Sequence, residues 1–330
     1  MTDRKKLLAE WLTQHLQSTN YKINIASADA SFRSYYRVIH DDQSFIVMDA
    51  PPEHEDCKPF INTTALLLAS HTNVPEIIAS NEAQGFLLLT DLGDKHYLSA
   101  MNEANADSYY HAAIDSLIKF QLHSRSNALK NYDKNLLTDE LNLFHEWLLL
   151  RYLEIDLSEN DRIELNLLHG RLIENASNQP QVFVHRDYHS RNLMVTDERI
   201  PGILDHQDAV NGPITYDLVS LLKDSYIYWP ENKRYEWIQY YLDQLQRHKS
   251  EIKIELQQFI AWFDLMGVQR ELKVAGIFAR LFLRDNKSSY LKDIPLTLKY
   301  ICELEGKYSE LNWLIDFINK TVLPTLDNKS

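Results

Sequence analysis

A chain of 330 residues, 45% hydrophobic and 11% aromatic, has enough apolar material for a sizeable core, which excludes disorder and points to two lobes or domains. The net charge of −13 excludes nucleic acid or an acidic membrane as the main partner, so any anion site must be local. There is no membrane-length apolar run, no signal-peptide core and no metal or disulfide spacing between Cys57 and Cys302; a cytoplasmic protein with no membrane or obligate protein partner is expected.

Leu7, Leu8, Trp11, Leu12 and Leu16 recur at helical spacing and predict an amphipathic first helix. Residues 23–25 and 35–39 read as strands on either side of a polar turn, Ser27, Ala28, Asp29, Ala30 and Ser31. A third strand over 44–48 stops at Pro51 and Pro52, a helix follows over 59–70, and 85–89 is a buried apolar strand. Thr90, Asp91, Leu92 and Gly93 break the pattern, which places a lobe boundary between 1–91 and 92–330. Helices are expected over 106–123, 141–152 and 161–175, and again from Tyr216 almost to the end. A strand-rich front and a helix-rich back make an α+β protein of two lobes.

Glycine is scarce: eight in all, at 85, 93, 170, 202, 212, 267, 276 and 306. None fits Gly-x-Gly-x-x-Gly or a P-loop, so neither dinucleotide binding nor P-loop chemistry is expected.

The informative stretch is Val184-His-Arg-Asp-Tyr-His-Ser-Arg-Asn-Leu-Met-Val195, followed after a polar turn by Gly202-Ile-Leu-Asp-His-Gln-Asp208. Its two short apolar runs predict a β-hairpin. Antiparallel return sets Asn192, at the start of one strand, beside Asp205, at the end of the other, with Asp187 just upstream. One amide and two carboxylates then converge, as a magnesium–ATP site requires. His185, Arg186, Asp187 and Asn192 also match the template His-Arg-Asp-x-x-x-x-Asn of phosphoryl-transfer enzymes.

These residues resemble the aminoglycoside phosphotransferase branch of the protein-kinase-like superfamily, which implies a small sheet-rich N-lobe and a larger, mainly helical C-lobe. The resemblance extends through Ser27-Ala-Asp-Ala-Ser-Phe-Arg-Ser-Tyr-Tyr-Arg37, Phe45-Ile-Val-Met-Asp-Ala-Pro-Pro52 and Gly85-Phe-Leu-Leu-Leu-Thr-Asp-Leu-Gly93. It continues in Gly202-Ile-Leu-Asp-His-Gln-Asp-Ala-Val-Asn-Gly-Pro213 and Asp264-Leu-Met-Gly-Val-Gln-Arg-Glu-Leu-Lys-Val-Ala-Gly-Ile-Phe-Ala-Arg280. Within that branch the chain is most similar to the amino-sugar kinases of cell-wall recycling. The resemblance implies ATP-dependent phosphorylation of the anomeric hydroxyl of N-acetylmuramate and N-acetylglucosamine. It also implies Asp187 as catalytic base, Asn192 and Asp205 as Mg²⁺ ligands, Ser27 to Ser31 around the phosphates, and Leu89, Asp91 and Leu92 at the adenine.

Several readings stay open. The turn at Ser27 either covers phosphates or merely joins strands. Asp217 either caps its helix or, as the resemblance implies, braces the catalytic loop from behind; His185 is a packing residue in that scheme. The kinase lysine of the third strand is missing, since Ile46, Val47, Met48 and Asp49 stand there; Arg33, Arg37 or Lys58 replaces it, or nothing does. Gln269, Arg270 and Lys273 form part of a basic helical stripe that is either exposed or built to recognise an anion such as the lactyl carboxylate. His189, Arg191, Gln207 and Asp208 flank the catalytic residues and are expected to line the sugar pocket. The rival functions are a kinase of another hydroxyl acceptor, such as an aminoglycoside or choline-like amine, and a silent nucleotide-binding regulator.

Overall fold

In a strand, alternate side chains face opposite sides, so a strand covered on both faces reads as unbroken apolar sequence. Phe86–Thr90 (β5) is such a strand. Phe86 and Leu88 pack with Val38 and Val47 against Leu8, Trp11 and Leu12 of the first helix, α1 (Asp3–Leu16). Leu87 and Leu89 pack with Met48 against Cys57 and Phe60, at the start of α2 (Lys58–Ala69). The computed structural model describes residues 3–28, 32–196, 200–249 and 253–329.

Among those residues the front sheet has five strands, all antiparallel, in the order β1-β2-β3-β5-β4. They are β1 (Lys22–Ala28), β2 (Ser34–His40), β3 (Gln43–Asp49), β4 (Ile77–Asn81) and β5. β4 is absent from the sequence reading because Ile-Ile-Ala-Ser-Asn has neither clean alternation nor a long apolar run. Gly85 sits at φ +72° and its C=O accepts the Ala50 N–H at 2.8 Å, so close to that residue that an added Cβ would lie 1.8 Å from the Ala50 carbonyl oxygen. Only glycine admits that approach.

Beyond Thr90 the chain is mainly helical. It contains α3 (Tyr97–Ala100), α4 (Ala106–His123), α5 (Lys134–Leu143), which runs on into a π-helical stretch Phe144–Leu153, and α6 (Glu159–Ser177). The expected 141–152 helix is thus the junction of two segments. Four short strands follow, β6 (Gln181–Val184), β7 (Leu193–Met194), β8 (Gly202–Ile203) and β9 (Val210–Pro213). Then come α7 (Tyr216–Leu222), α8 (Glu231–His248), the long α9 (Leu256–Asp285), α10 (Ile294–Cys302), α11 (Asn312–Phe317) and α12 (Leu323–Lys329). Helix α9 is buried almost all round over its middle turns and is the axis of this half. Its Gly276 crosses Leu143 so closely that a Cβ would lie 2.3 Å from the Leu143 carbonyl carbon. Among the described residues no helix is long and apolar enough to cross a membrane.

Candidate active site

β6 and β9 are hydrogen-bonded neighbours, from Gln181 opposite Pro213 to Val184 opposite Val210, so residues 185–209 leave and rejoin one small sheet. Within that excursion β7 and β8 pair as an antiparallel hairpin, Leu193 opposite Ile203, and the Leu204 N–H donates to the Asn192 carbonyl at 2.9 Å. Asn192 and Asp205 therefore stand together at the open end of the hairpin. The Asn192 amide N–H also donates to the Asp187 carbonyl at 2.9 Å, tying the loop to its own start. The backbone at Asp187, Asn192 and Asp205 is thereby gathered at the open end of the predicted hairpin.

Two turns of this loop are left-handed, Arg186 at φ +78° and Asp205 at φ +62°. Non-glycine residues hold that conformation only where surroundings over-determine it. For Arg186 the cause is Asp217 in the first turn of α7, which accepts the backbone N–H of His185 at 2.6 Å and of Arg186 at 2.9 Å. Of the two readings of Asp217, bracing the loop is the one found. Burial pushes its carboxyl up to about 7, against the pull of those two N–H groups. His185 is fully buried, and burial pushes it down to about 4, so it is a neutral packing residue.

Asp187 is held below the usual carboxylate range. Burial raises it, but the charges of Lys273 and Arg186 outweigh burial. An ionised carboxylate in the middle of the loop can accept a proton from a bound hydroxyl. The Asn192 amide oxygen and the Asp205 carboxylate are hard oxygen donors of the kind that hold Mg²⁺ alongside substrate phosphates. Among the described residues no cluster of three His, Cys, Asp or Glu side chains makes an all-protein metal cage. Gln207 donates to Asp205 at 2.7 Å and to Asp208 at 3.3 Å, and Asp208 itself is exposed.

On the nucleotide side, Ser27 and Ala28 lie in β1 opposite Tyr35 and Ser34, while Asp29, Ala30 and Ser31 fall outside the described residues. Arg37 donates to Asp91 at 2.6 and 3.1 Å and to the Gly93 carbonyl at 2.7 Å; Ser44 and the Gly93 N–H add bonds to the same carboxylate. Burial raises Asp91, yet these four donors bring it below its ordinary value. Arg37 is thus committed to the joint between sheet and helices. Leu89 is buried against α2, and Leu92 packs on the hairpin, where a Cβ on Gly202 would meet it at 2.8 Å. Met48 is core, and Asp49 beside it pairs with Arg4 of α1 through a 2.7 Å hydrogen bond, so β3 offers no cation. Arg33 lies 3.7 Å from Glu55, and Lys58 is exposed at the start of α2.

The acceptor side corrects the idea of an exposed basic stripe. Gln269, Arg270 and Lys273 are all buried within α9. Arg270 pairs with Glu271 at 2.9 Å. Lys273 lies 3.2 Å from Glu140 and donates to the Tyr216 hydroxyl at 2.8 Å. Gln269 donates to Glu140 at 3.4 Å. Glu140 also binds Arg186 and accepts the Tyr132 hydroxyl, so one buried carboxylate on α5 anchors the two cations that flank Asp187. Glu140 is invisible in sequence, since it falls among Leu137, Leu141 and Leu143 like any solvent-facing residue of an amphipathic helix. His189 stands edge-on to Tyr226 at 5.5 Å, and Arg191 lies over the same ring at 3.6 Å.

A sequence profile described as the phosphotransferase enzyme family matches residues 22–254. The chain is 43% identical over 286 residues to an N-acetylmuramate/N-acetylglucosamine kinase of Pseudomonas aeruginosa, covering 87% of this chain and 84% of that protein. It is 38% identical over 313 residues to the protein of the same name from Neisseria meningitidis, covering 93% of each. Solved structures that share the fold include an ethanolamine kinase of Plasmodium vivax, with a TM-score of 0.64 at 10% identity over 91% of this chain and 88% of that one. Another is the choline kinase LicA of Streptococcus pneumoniae, with a TM-score of 0.63 at 9% identity over 91% of this chain and 99% of that one. The α+β architecture is that of the protein-kinase-like phosphotransferases.

Proposed function

Because this chain belongs to the phosphotransferase enzyme family, we propose that it uses ATP to phosphorylate the anomeric hydroxyl of N-acetylmuramate and N-acetylglucosamine. The product is the sugar α-1-phosphate, which feeds peptidoglycan recycling. The observation that carries the reading is the convergence of Asp187, Asn192 and Asp205 at one hairpin in a chain 43% identical to a kinase of that name.

In this reading Asp187 takes the proton of the attacking hydroxyl. Asn192 and Asp205 hold Mg²⁺, which supplies charge neutralisation at the phosphates when bound. Catalysis of this kind is mostly positioning and electrostatics, and the loop is built for positioning through Asp217 and the Asn192 tie. ATP binds beside Ser27 and Ala28 at the end of β1 and against Leu89 to Leu92, with the lobes dividing at 91 and 92. Arg37 supports that joint through Asp91, a role its bonds favour over direct phosphate contact. His189, Arg191 and Asp208 face the sugar, and Gln269, Arg270 and Lys273 form the buried layer behind it. The unpaired cysteines suit a cytoplasmic enzyme, the compartment in which ATP is available.

An ATP-consumption assay over N-acetylmuramate, N-acetylglucosamine, aminoglycosides and choline tests the reading, with phosphorus NMR of the product to locate the new ester. Turnover of an aminoglycoside or choline alone would replace the sugar assignment. No turnover with any acceptor would favour a nucleotide-binding regulator.

A further inference from the structure

The walls around the catalytic loop are rich in cations, and most of them are neutralised by a named partner. Arg186 and Lys273 share Glu140, Arg270 has Glu271 at 2.9 Å, and Lys223 has Asp264 at 3.4 Å. Arg191 differs. It forms no ion pair and no hydrogen bond with any described residue. Its guanidinium lies 3.6 Å from the centre of the Tyr226 ring and 5.9 Å from that of Tyr290. It is partly buried, so it has given up some hydration without gaining a directly paired carboxylate among the described residues.

Its position gives that unmet charge a direction. Arg191 sits between Asp187 and Asn192 in the loop, so it cannot lie far from the transferred phosphoryl group. Tyr226 follows α7, and Tyr290 belongs to the 3-10 turn Ser288–Asp293 that follows α9, so both tyrosines come from the helical half. Tyr226 and Tyr290 also each contact Phe278 of α9, which ties the platform to the buried core. The Tyr226 ring holds the guanidinium while its N–H groups have no hydrogen-bond partner among the described residues, which leaves them available to a bidentate carboxylate. Asp293, in the same turn as Tyr290, feels the charge of Arg191 without bonding it. On a protein of net charge −13, an anionic substrate needs such a local cation to offset long-range repulsion.

We propose that Arg191, held on Tyr226 and Tyr290, binds the carboxylate of the acceptor sugar and so favours N-acetylmuramate over the neutral N-acetylglucosamine. The proposal rests on the sugar-kinase reading above. It transfers to Arg191 the role that the sequence suggested for Arg270, whose guanidinium is already paired inside the protein.

Initial rates with both sugars on the wild-type protein, Arg191→Gln, Arg191→Lys and Arg270→Gln test it. Losing a charge-assisted bidentate contact should cost Arg191→Gln about 10- to 100-fold more in kcat/KM on N-acetylmuramate than on N-acetylglucosamine, mainly through KM. Arg191→Lys, which keeps a point charge, should fall between it and the wild type. Equal losses on both sugars, a loss confined to the KM for ATP, or a selective loss in Arg270→Gln instead would overturn the proposal. A measurement needing no variant is the methyl ester of the lactyl carboxylate with wild-type protein: it should be a correspondingly poor substrate, and an ester as good as the acid overturns the proposal. A wild-type protein that phosphorylates neither sugar defeats the sugar-kinase reading itself, an outcome distinct from all of these.

Discussion

Thr64 of α2 and His206 of the loop after β8 share a buried hydrogen bond, 2.7 Å between Oγ1 and Nε2, which joins the sheet-bearing half to the residue next to Asp205. Phe60, one turn earlier on α2, lies against the same imidazole with ring centres 4.6 Å apart. Burial pushes His206 down to about 3, so the ring is neutral and can pair with a hydroxyl. Thr64→Val keeps the shape and removes the bond. It should destabilise the protein by about 1–3 kcal/mol, the cost of leaving a buried polar group unpaired, and raise the Mg²⁺ concentration needed for half-maximal activity. Thermal melts and a Mg²⁺ titration read the two effects; an unchanged Mg²⁺ requirement would separate this bond from the loop.

Asp187→Asn removes a carboxylate whose neighbours Lys273 and Arg186 keep it ionised. Loss of a positioned base should lower kcat by about 10²–10⁴. Nucleotide affinity, measured by calorimetry, should stay close to wild type, because the substitution preserves size and the Asn192 bond goes to the backbone carbonyl. A variant with wild-type turnover would remove Asp187 from the base role.

Glu140→Ala leaves Arg186 and Lys273 buried without their shared counter-ion. Removing one side of a buried ion pair costs about 3–5 kcal/mol, which denaturant unfolding would register. The pH dependence has a defined sign. Burial raises the Glu140 carboxyl, but Lys273 and Arg186 bring it below its ordinary value. Its contribution is therefore complete above the ordinary carboxyl range and is lost as pH falls through the lower, folded value. The gap between wild type and variant should narrow in acid and be constant near neutrality.

His169, on α6 and remote from the catalytic loop, is pushed down to about 4, by burial first and His145 second. The unfolded chain binds this proton near pH 6.5 and the folded chain does not, so the group destabilises the fold as pH drops below that point. His169→Phe should thus gain stability on wild type by about 1.4 kcal/mol per pH unit between pH 6.5 and 4. Parallel unfolding curves for the two proteins across that range would contradict the assignment.

Gly276→Ala places a methyl where α9 meets the Leu143 backbone, 2.4 Å from its carbonyl oxygen. Backbone cannot yield as a side chain can, so overpacking should cost about 1–3 kcal/mol or more. Gly170, on α6 with nothing within 4 Å of an added Cβ, is the control: Gly170→Ala should be neutral or stabilising by up to about 1 kcal/mol. A melting-temperature comparison distinguishes the two sites.

Much of the frame was readable along the chain because it is set by local periodicity. The helix over 106–123 and the strands through 35–39 and 44–48 follow from spacing alone and agree with α4, β2 and β3 within a residue at each end. The strands that escaped notice, β4, β6 and β9, are short, and two of them earn their place only by pairing across a long excursion. The hairpin was legible because its register follows from two apolar runs and one polar turn.

By itself, the sequence determined that the backbone at Asn192 and Asp205 would come together at the open end of that hairpin, since antiparallel pairing is a local geometric consequence of residues close in the chain. Tertiary structure alone decided which charges near the site are neutralised. Glu140 meets Arg186 and Lys273 across 46 and 133 residues of chain, and the helical spacing of Arg270 and Lys273 tells which face they share but not what that face meets. A helix period identifies a side chain's direction. Whether that direction leads to solvent, to a counter-ion, or to a pair of tyrosines as for Arg191 depends on packing between distant elements.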